Sequence, residues 1–182
     1  MTICKFSLIP EAPEHKTEIE LLLDGAFGLS RLAKTSYRLR EGERPVEGLS
    51  HVAVEAGRGI VGCISFWHIH VGDHGPATLL LGPLAVAGDR RGVGIGRALM
   101  TNGIDRARAM GYALIILVGD EPYYGRVGFR KVPRDQLILP GPVDPDRLLF
   151  LELAKGAMQT ARGLVLPPHR FEQRLSGLHG TR

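Results

Sequence analysis

The chain has 182 residues, 44% hydrophobic and 23% charged, the composition of an ordinary soluble globular protein. That length suits a single domain over 1–182, able to bury roughly 70% of its unfolded surface and so to fold without disulfide or metal staples. Lys and Arg outnumber Asp and Glu by 23 to 19, a mild, scattered excess that suits a polyanion or a small phosphate-bearing ligand equally well.

No apolar run reaches the ~18 residues a membrane span requires, and the start, Met1-Thr-Ile-Cys-Lys-Phe-Ser, is too short an apolar stretch for a secretory signal. A cytoplasmic protein without a membrane partner is expected. Cys4 and Cys63 stand far apart and make no zinc-type pair; both read as reduced thiols, Cys63 within a strand.

In chain order, Ile19, Leu22, Leu23, Ala26 and Phe27 recur at helical spacing and predict a helix over 13–27. A shorter helix is expected over 30–39, capped by Ser30, with Arg31, Lys34 and Arg38 on one solvated face. The charged segment 41–48, with Gly42, Pro45 and Gly48, reads as a loop. Two β-rich runs, 51–55 and 60–71, flank Gly57-Arg-Gly59 and predict an antiparallel hairpin. The run 78–86 is apolar on both faces and reads as a central strand. Gly82 and Pro83 inside it predict a break in pairing, because proline cannot donate to a ladder.

The best helix spans 94–110, with Ile95, Leu99, Gly103, Ala107 and Met110 on one stripe and Gly111 as its stop. Gly103 is unfavourable inside a helix unless the sheet packs closely against it. The apolar run 112–118 follows, so that strand, helix and strand make a βαβ unit with a parallel pair. A short helix is expected over 120–127, Asp120 near its N-cap and Pro122 in its first turn. Gly128-Phe129 enters another strand, and 148–153 is the last strong one. The remainder reads as less regular, a flexible tail past Arg174. The last strand and the tail are candidates for a homodimer contact.

The turn Ala87-Gly-Asp-Arg-Arg-Gly-Val-Gly-Ile-Gly-Arg97 carries the strongest chemical signal. Alternating glycines let the backbone approach a ligand closely, and the first helical turn leaves N–H groups free at the positive end of the macrodipole. That is a phosphate cradle, with Arg90, Arg91 and Arg97 beside it. A dinucleotide fingerprint would need glycine at Arg97, and a Walker A loop would need Gly-Lys-Ser/Thr; neither is present.

Arg91-x-x-Gly94-x-Gly96 after an apolar strand resembles the acetyl-CoA pyrophosphate loop of the GNAT superfamily of N-acetyltransferases. Tyr124-Gly-Arg-Val-Gly128-Phe129 is similar to the aromatic-x-x-x-Gly-Phe signature of the same fold, in the right order downstream. Leu81-Gly-Pro-Leu-Ala-Val86, Leu117-Val-Gly-Asp120 and Leu139-Pro-Gly-Pro142 resemble one bacterial branch of it. The resemblance spans roughly Phe27 to Gly163. It implies an α+β domain with a mixed, mostly antiparallel sheet, one splayed parallel strand pair and helices on both faces.

The resemblance further implies acetyl-CoA as cosubstrate and an amine of a small molecule or peptide as acceptor. The main chain of Leu84, Ala85 and Val86 would pair with the pantetheine arm, with Val86 N–H polarising the thioester. Arg91, Gly92, Val93, Gly94, Ile95, Gly96 and Arg97 would hold the pyrophosphate, and Tyr124 would protonate the leaving thiolate, Tyr123 being the alternative. Asp120 would cap its helix or touch the cofactor. The strand before the loop has no carboxylate, and Glu55 reads more as a strand-end charge than as a general base. His68 and His70 share a strand face near His74, a set more suited to a polar cleft or solvent than to a metal. A non-catalytic acyl-CoA-binding module of the same fold is the alternative function.

Overall fold

The computed structural model of the chain describes residues 6–179; Cys4 lies outside them. Nine strands are formed there: β1 (Phe6–Pro10), β2 (His51–Glu55), β3 (Gly59–Val71), β4 (Thr78–Val86), β5 (Leu114–Val118), β6 (Arg130–Lys131), β7 (Leu137–Ile138), β8 (Leu148–Glu152) and β9 (Gly163–Leu166). Their order is β1-β2-β3-β4-β5-β8-β6, with β9 joining the far end of β3 and β7 joining β9. The expected hairpin is β2 against β3. The expected parallel pair is β4 against β5, within an otherwise mostly antiparallel sheet. β7 and β9 form a second, two-residue parallel pair, which no local pattern announced. Nor did one announce β1, an edge strand whose apolar residues are only half-buried.

Two long helices cover opposite faces: α1 (Lys16–Phe27) and α3 (Ile95–Ala109). On β2, Val52 packs with Ile19 and Leu23 of α1, whereas its neighbour Ala53 packs with Leu99 and Met100 of α3; successive strand side chains point to opposite faces. Gly103 meets the sheet as its helix position demands. A Cβ there would lie 2.4 Å from Cε2 of Phe66. The helix ends at Gly111, in the left-handed region at φ 85°. Tyr112 N–H donates to Ala107 and Gly111 N–H to Arg108, the paired bonds of a Schellman stop. Met110 falls beyond the stripe and is half-exposed.

Three expectations are corrected. The helix over 30–39 is a 3-10 turn (Leu29–Ala33), then extended backbone at Lys34, then one helical turn, α2 (Thr35–Arg38). Ser30 caps nothing. The cause is Arg31, which is buried rather than on a solvated face and is tied to Glu20, Asp24 and the Tyr37 hydroxyl. Burial alone would lower its pKa, but those hydrogen bonds outweigh it and hold the guanidinium above its ordinary range. Arg38 is turned too, donating to Pro140 O at 3.2 Å.

The second correction concerns the chain beyond Leu153. It contains α5 (Ala157–Thr160), β9 and α6 (Pro168–His179), and is more regular than expected. Phe171 of α6 stacks on His70 at 4.1 Å between centroids, so the helix is held by a strand about a hundred residues earlier. Third, the helix over 120–127 is α4 (Glu121–Tyr124) followed by a 3-10 turn (Gly125–Val127). Asp120 occupies the N-cap without a side-chain cap bond; its Oδ1 accepts instead from Arg147 Nε at 3.1 Å.

Candidate active site

β4 and β5 pair only at Thr78–Leu114, Leu79–Ile115 and Leu80–Ile116. Beyond Leu80 the strands diverge. β5 continues against β8, while β4 continues against β3 through a bulge in which Gly82 and Pro83 together face Ser65. The pairing break predicted from Gly82-Pro83 is therefore present. Trp67 Nε1 donates to Gly82 O at 2.6 Å and fastens the bulge.

The divergence leaves one edge of β4 open. Ala87 N–H donates to Val61 O, so by strand alternation the main chain of Ala85 also faces β3, and that of Leu84 and Val86 faces the gap. Ala85 is buried under α1 among Ile19, Leu23 and Cys63. A cavity of about 640 Å³ fills the gap, running from Leu84 and Val86 to Arg91, Gly94 and Arg97.

At its far end α3 begins. Gly94 caps it at φ 94°, in the left-handed region, and no side chain accepts from the first turn. The first helical bond is Ala98 N–H to Gly94 O at 2.9 Å. The amides of Ile95, Gly96 and Arg97 consequently have no acceptor among the described residues and form an anion cradle. A Cβ on Gly92 or Gly94 would meet nothing within 4 Å; the loop fronts open space. Val93 is half-exposed and does not line the cavity. Arg126, which no motif singled out, does. Arg90 is held differently: its Nε and Nη2 donate to the two oxygens of Glu55 at 2.7 and 3.1 Å. The Arg90 hydrogen bond holds Glu55 below its usual carboxylate range; Glu55 anchors the loop and lines neither cavity.

Tyr123 and Tyr124 close the cavity from α4, their rings edge to face with centroids 5.0 Å apart. The Tyr123 hydroxyl crowds Gly96: an added Cβ there would lie 2.3 Å from it. Tyr124 is packed between Gly119 and Phe129. Burial, reinforced by Tyr123 and Asp120, pushes its phenol far above its ordinary pKa, so it stays protonated. Tyr124 and Leu84 also border a second cavity of about 220 Å³, reaching Arg40, Gly82 and Asp120. Asp120 thus lines this smaller cavity and not the larger one.

The histidines lie elsewhere. Tyr112 Oη is 3.2 Å from the His68 ring nitrogens, and His70 is under α6. Among the described residues no group of three or more His, Cys, Asp or Glu is placed to hold a metal, and no helix is long and apolar enough to cross a membrane.

Residues 17–129 match the model of the Acetyltransferase (GNAT) family. The uncharacterized N-acetyltransferase YhbS of Escherichia coli strain K12 is 30% identical over 155 residues, covering 85% of this chain and 92% of that protein. The uncharacterized N-acetyltransferase YjhQ of the same strain is 30% identical over 138 residues, 75% of this chain and 76% of its own. The crystal structure of Escherichia coli YhbS in complex with CoA superposes with a TM-score of 0.77 at 27% identity, covering 93% of each chain. A GNAT family acetyltransferase from Brucella melitensis in complex with acetyl-CoA gives 0.60 at 26% identity, covering 80% of this chain and 95% of that one.

Proposed function

The chain belongs to the GNAT family of acetyltransferases, and on that premise we propose that it transfers the acetyl group of acetyl-CoA to an amine by direct attack. The observation that carries the reading is the continuity of one cavity from the open main-chain edge of Leu84 and Val86 to the uncapped amides of Ile95, Gly96 and Arg97. That cavity offers what the cosubstrate requires: a strand edge for the pantetheine amides, then a cationic helix start for the pyrophosphate, with Arg91, Arg97 and Arg126 around it.

Acetyl-CoA supplies an activated thioester. The C–N bond to the acceptor forms as the C–S bond breaks; the amine enters neutral and gives its proton to water, and the thiolate takes one. Leu84 N–H polarises the thioester carbonyl, because Leu84 borders both cavities whereas Val86 borders only the larger. Val86 then pairs with the pantetheine arm. Tyr123 and Tyr124 both border the two cavities; Tyr124, the more buried, donates the proton to the thiolate, and the exposed Tyr123, whose hydroxyl crowds Gly96, holds the cofactor side of the wall. Asp120 serves neither step; its carboxylate orients Arg147.

The test is calorimetry with acetyl-CoA and coenzyme A on the natural chain and on Gly94→Glu and Arg97→Glu, with circular dichroism to check folding. Binding that the glutamates abolish in a folded chain supports the reading. No binding by the natural chain overturns it, and binding without turnover of any amine would make the protein an acyl-CoA-binding module.

A further inference from the structure

The smaller cavity holds a cation that the transfer chemistry leaves unused. Arg40 follows α2 and lays its guanidinium over the Tyr37 ring, 4.4 Å from the centroid, with Trp67 at 5.9 Å. Nη2 lies over the β4 bulge, 3.5 Å from where a Gly82 Cβ would stand. Its Nε is buried and has no hydrogen-bond partner among the described residues, and no carboxylate there pairs with the side chain.

Arg31, nine residues earlier, is the contrast. It lines the same cavity and is also buried, but Glu20, Asp24 and Tyr37 saturate it. An unpaired buried charge is destabilising, since its lost hydration is not repaid. The Tyr37 and Trp67 rings and a hydrogen bond to the Tyr37 side chain offset part of that. Burial draws the Arg40 pKa down to about 10, so the group is still cationic at neutral pH. A chain that keeps such a group in a cleft has left an anion site open.

The rest of the lining gives the size and sign of the ligand. Arg31, Lys34, Arg40 and Arg147 face one carboxylate, Asp120, which is occupied by Arg147. With Arg31 also paired, the unspent charge is Arg40 and the Lys34 ammonium, which lies over Phe27. The volume of about 220 Å³ suits an amino acid; Arg31, Tyr37, Arg40 and Pro83 also border a wider cleft of about 650 Å³ whose lining carries Glu11, Glu20, Glu41, Glu43 and Glu47, so an anion is favoured on the Lys34 and Arg147 side. The Nη2 end of the guanidinium stands at Gly82, which lines the cavity, and a guanidinium is a planar donor group that matches a carboxylate.

Resting on the acetyltransferase reading, we propose that the acceptor is a small, amino-acid-sized amine bearing a carboxylate, which the Arg40 guanidinium receives from its Nη2 end while the amine faces Leu84 and Tyr124. Arg40 is then the residue that sets acceptor class, and the bulge at Gly82-Pro83 presents the strand beneath it.

The experiment measures coenzyme A release from acetyl-CoA with the standard amino acids, their carboxamides, the decarboxylated amines and the matching aminophosphonates. It is run on the natural chain and on Arg40→Met and Arg40→Lys. Acids exceeding their carboxamides by about 10- to 100-fold in kcat/KM, with the ratio collapsing in Arg40→Met and recovering in part in Arg40→Lys, supports the proposal. Arg40→Met is expected to melt higher than the natural chain, since it removes an unpaired charge, and to bind acetyl-CoA unchanged.

Equal use of acids and carboxamides, preference for the aminophosphonates, or a preference for acids that survives in Arg40→Met overturns it. So does a lower melting temperature with an unchanged ratio, which would make Arg40 a packing residue. Acetyl-CoA binding with no amino acid accepted overturns the acceptor class and leaves the acetyltransferase reading standing, whereas loss of acetyl-CoA binding in the natural chain overturns that reading itself.

Discussion

The Tyr124 ring closes on the backbone of Gly119 so tightly that a Cβ at Gly119 would lie 2.3 Å from Cε2 and 2.8 Å from Cδ2. Gly119 has ordinary backbone geometry, so the glycine is required by this approach and not by its φ. It ends the open side of β5 and lets α4 bring Tyr124 to the point where the two cavities meet. Gly119→Ala should displace the phenol while leaving the α3 cradle intact. The expected outcome is a fall in kcat of about 10- to 100-fold, the scale of an ångström-sized misplacement, with acetyl-CoA affinity by calorimetry nearly unchanged.

Removing the Tyr124 hydroxyl is the sharper version of the same test. Tyr124→Phe should lower kcat by about 100-fold or more without changing acetyl-CoA affinity. The pH profile adds a sign. Burial raises this pKa above the ordinary 10.0 of a phenol, so the proton is retained through pH 10 and Tyr124 produces no alkaline fall in kcat below that pH. An alkaline limb near pH 8 that disappears in Tyr124→Phe would show that the phenol titrates below the range its burial sets, whereas an unchanged kcat in Tyr124→Phe would remove Tyr124 from the proposed role.

Gly103 should resist replacement despite its place inside a helix. Alanine in a helix interior is favoured over glycine by about 1 kcal/mol. Here, however, the new methyl would stand 2.4 and 2.5 Å from two atoms of Phe66, a fully buried ring. Overpacking of that kind costs about 1–3 kcal/mol. Gly103→Ala is expected to lower stability in urea unfolding; a more stable variant would mean that Phe66 has room to move.

The Glu55–Arg90 pair ties the β2–β3 hairpin to the turn before the cradle. Because Arg90 holds the folded carboxyl below its ordinary 4.5, the stabilisation is fully present above about that pH. It is lost as pH falls through the lower folded value. The melting-temperature gap between the natural chain and Glu55→Gln should therefore be constant from pH 8 to 5 and close on further acidification. A gap that widens in acid would contradict the pairing. The pair is only part-buried, near the surface, so the gap itself should be small and reduced by salt.

Where structure depended on neighbours in the chain, the residues were sufficient to read it. Alternating glycines before an apolar stripe define the cradle and α3, and Gly111 defines its end, because caps and free first-turn amides are set by dihedrals within a few residues. Gly82-Pro83 announced the bulge for the same reason: a missing donor breaks a ladder wherever it falls. The central strands β3, β4 and β5 were legible from continuous apolar runs.

Tertiary structure alone decided what meets across those elements. Arg31, Lys34 and Arg38 have helical spacing, yet Glu20, Asp24 and Tyr37 draw Arg31 inward and break the helix at Lys34. Glu55 became an anchor through Arg90, 35 residues away. Asp120 went to Arg147. The short strands β7 and β9 and the final helix exist through partners far off in sequence. Local propensity sets which conformations a segment favours. Which buried charges find a carboxylate, as Arg31 does, and which, like Arg40, have none depends on desolvation and pairing that appear only once the sheet has brought distant residues together.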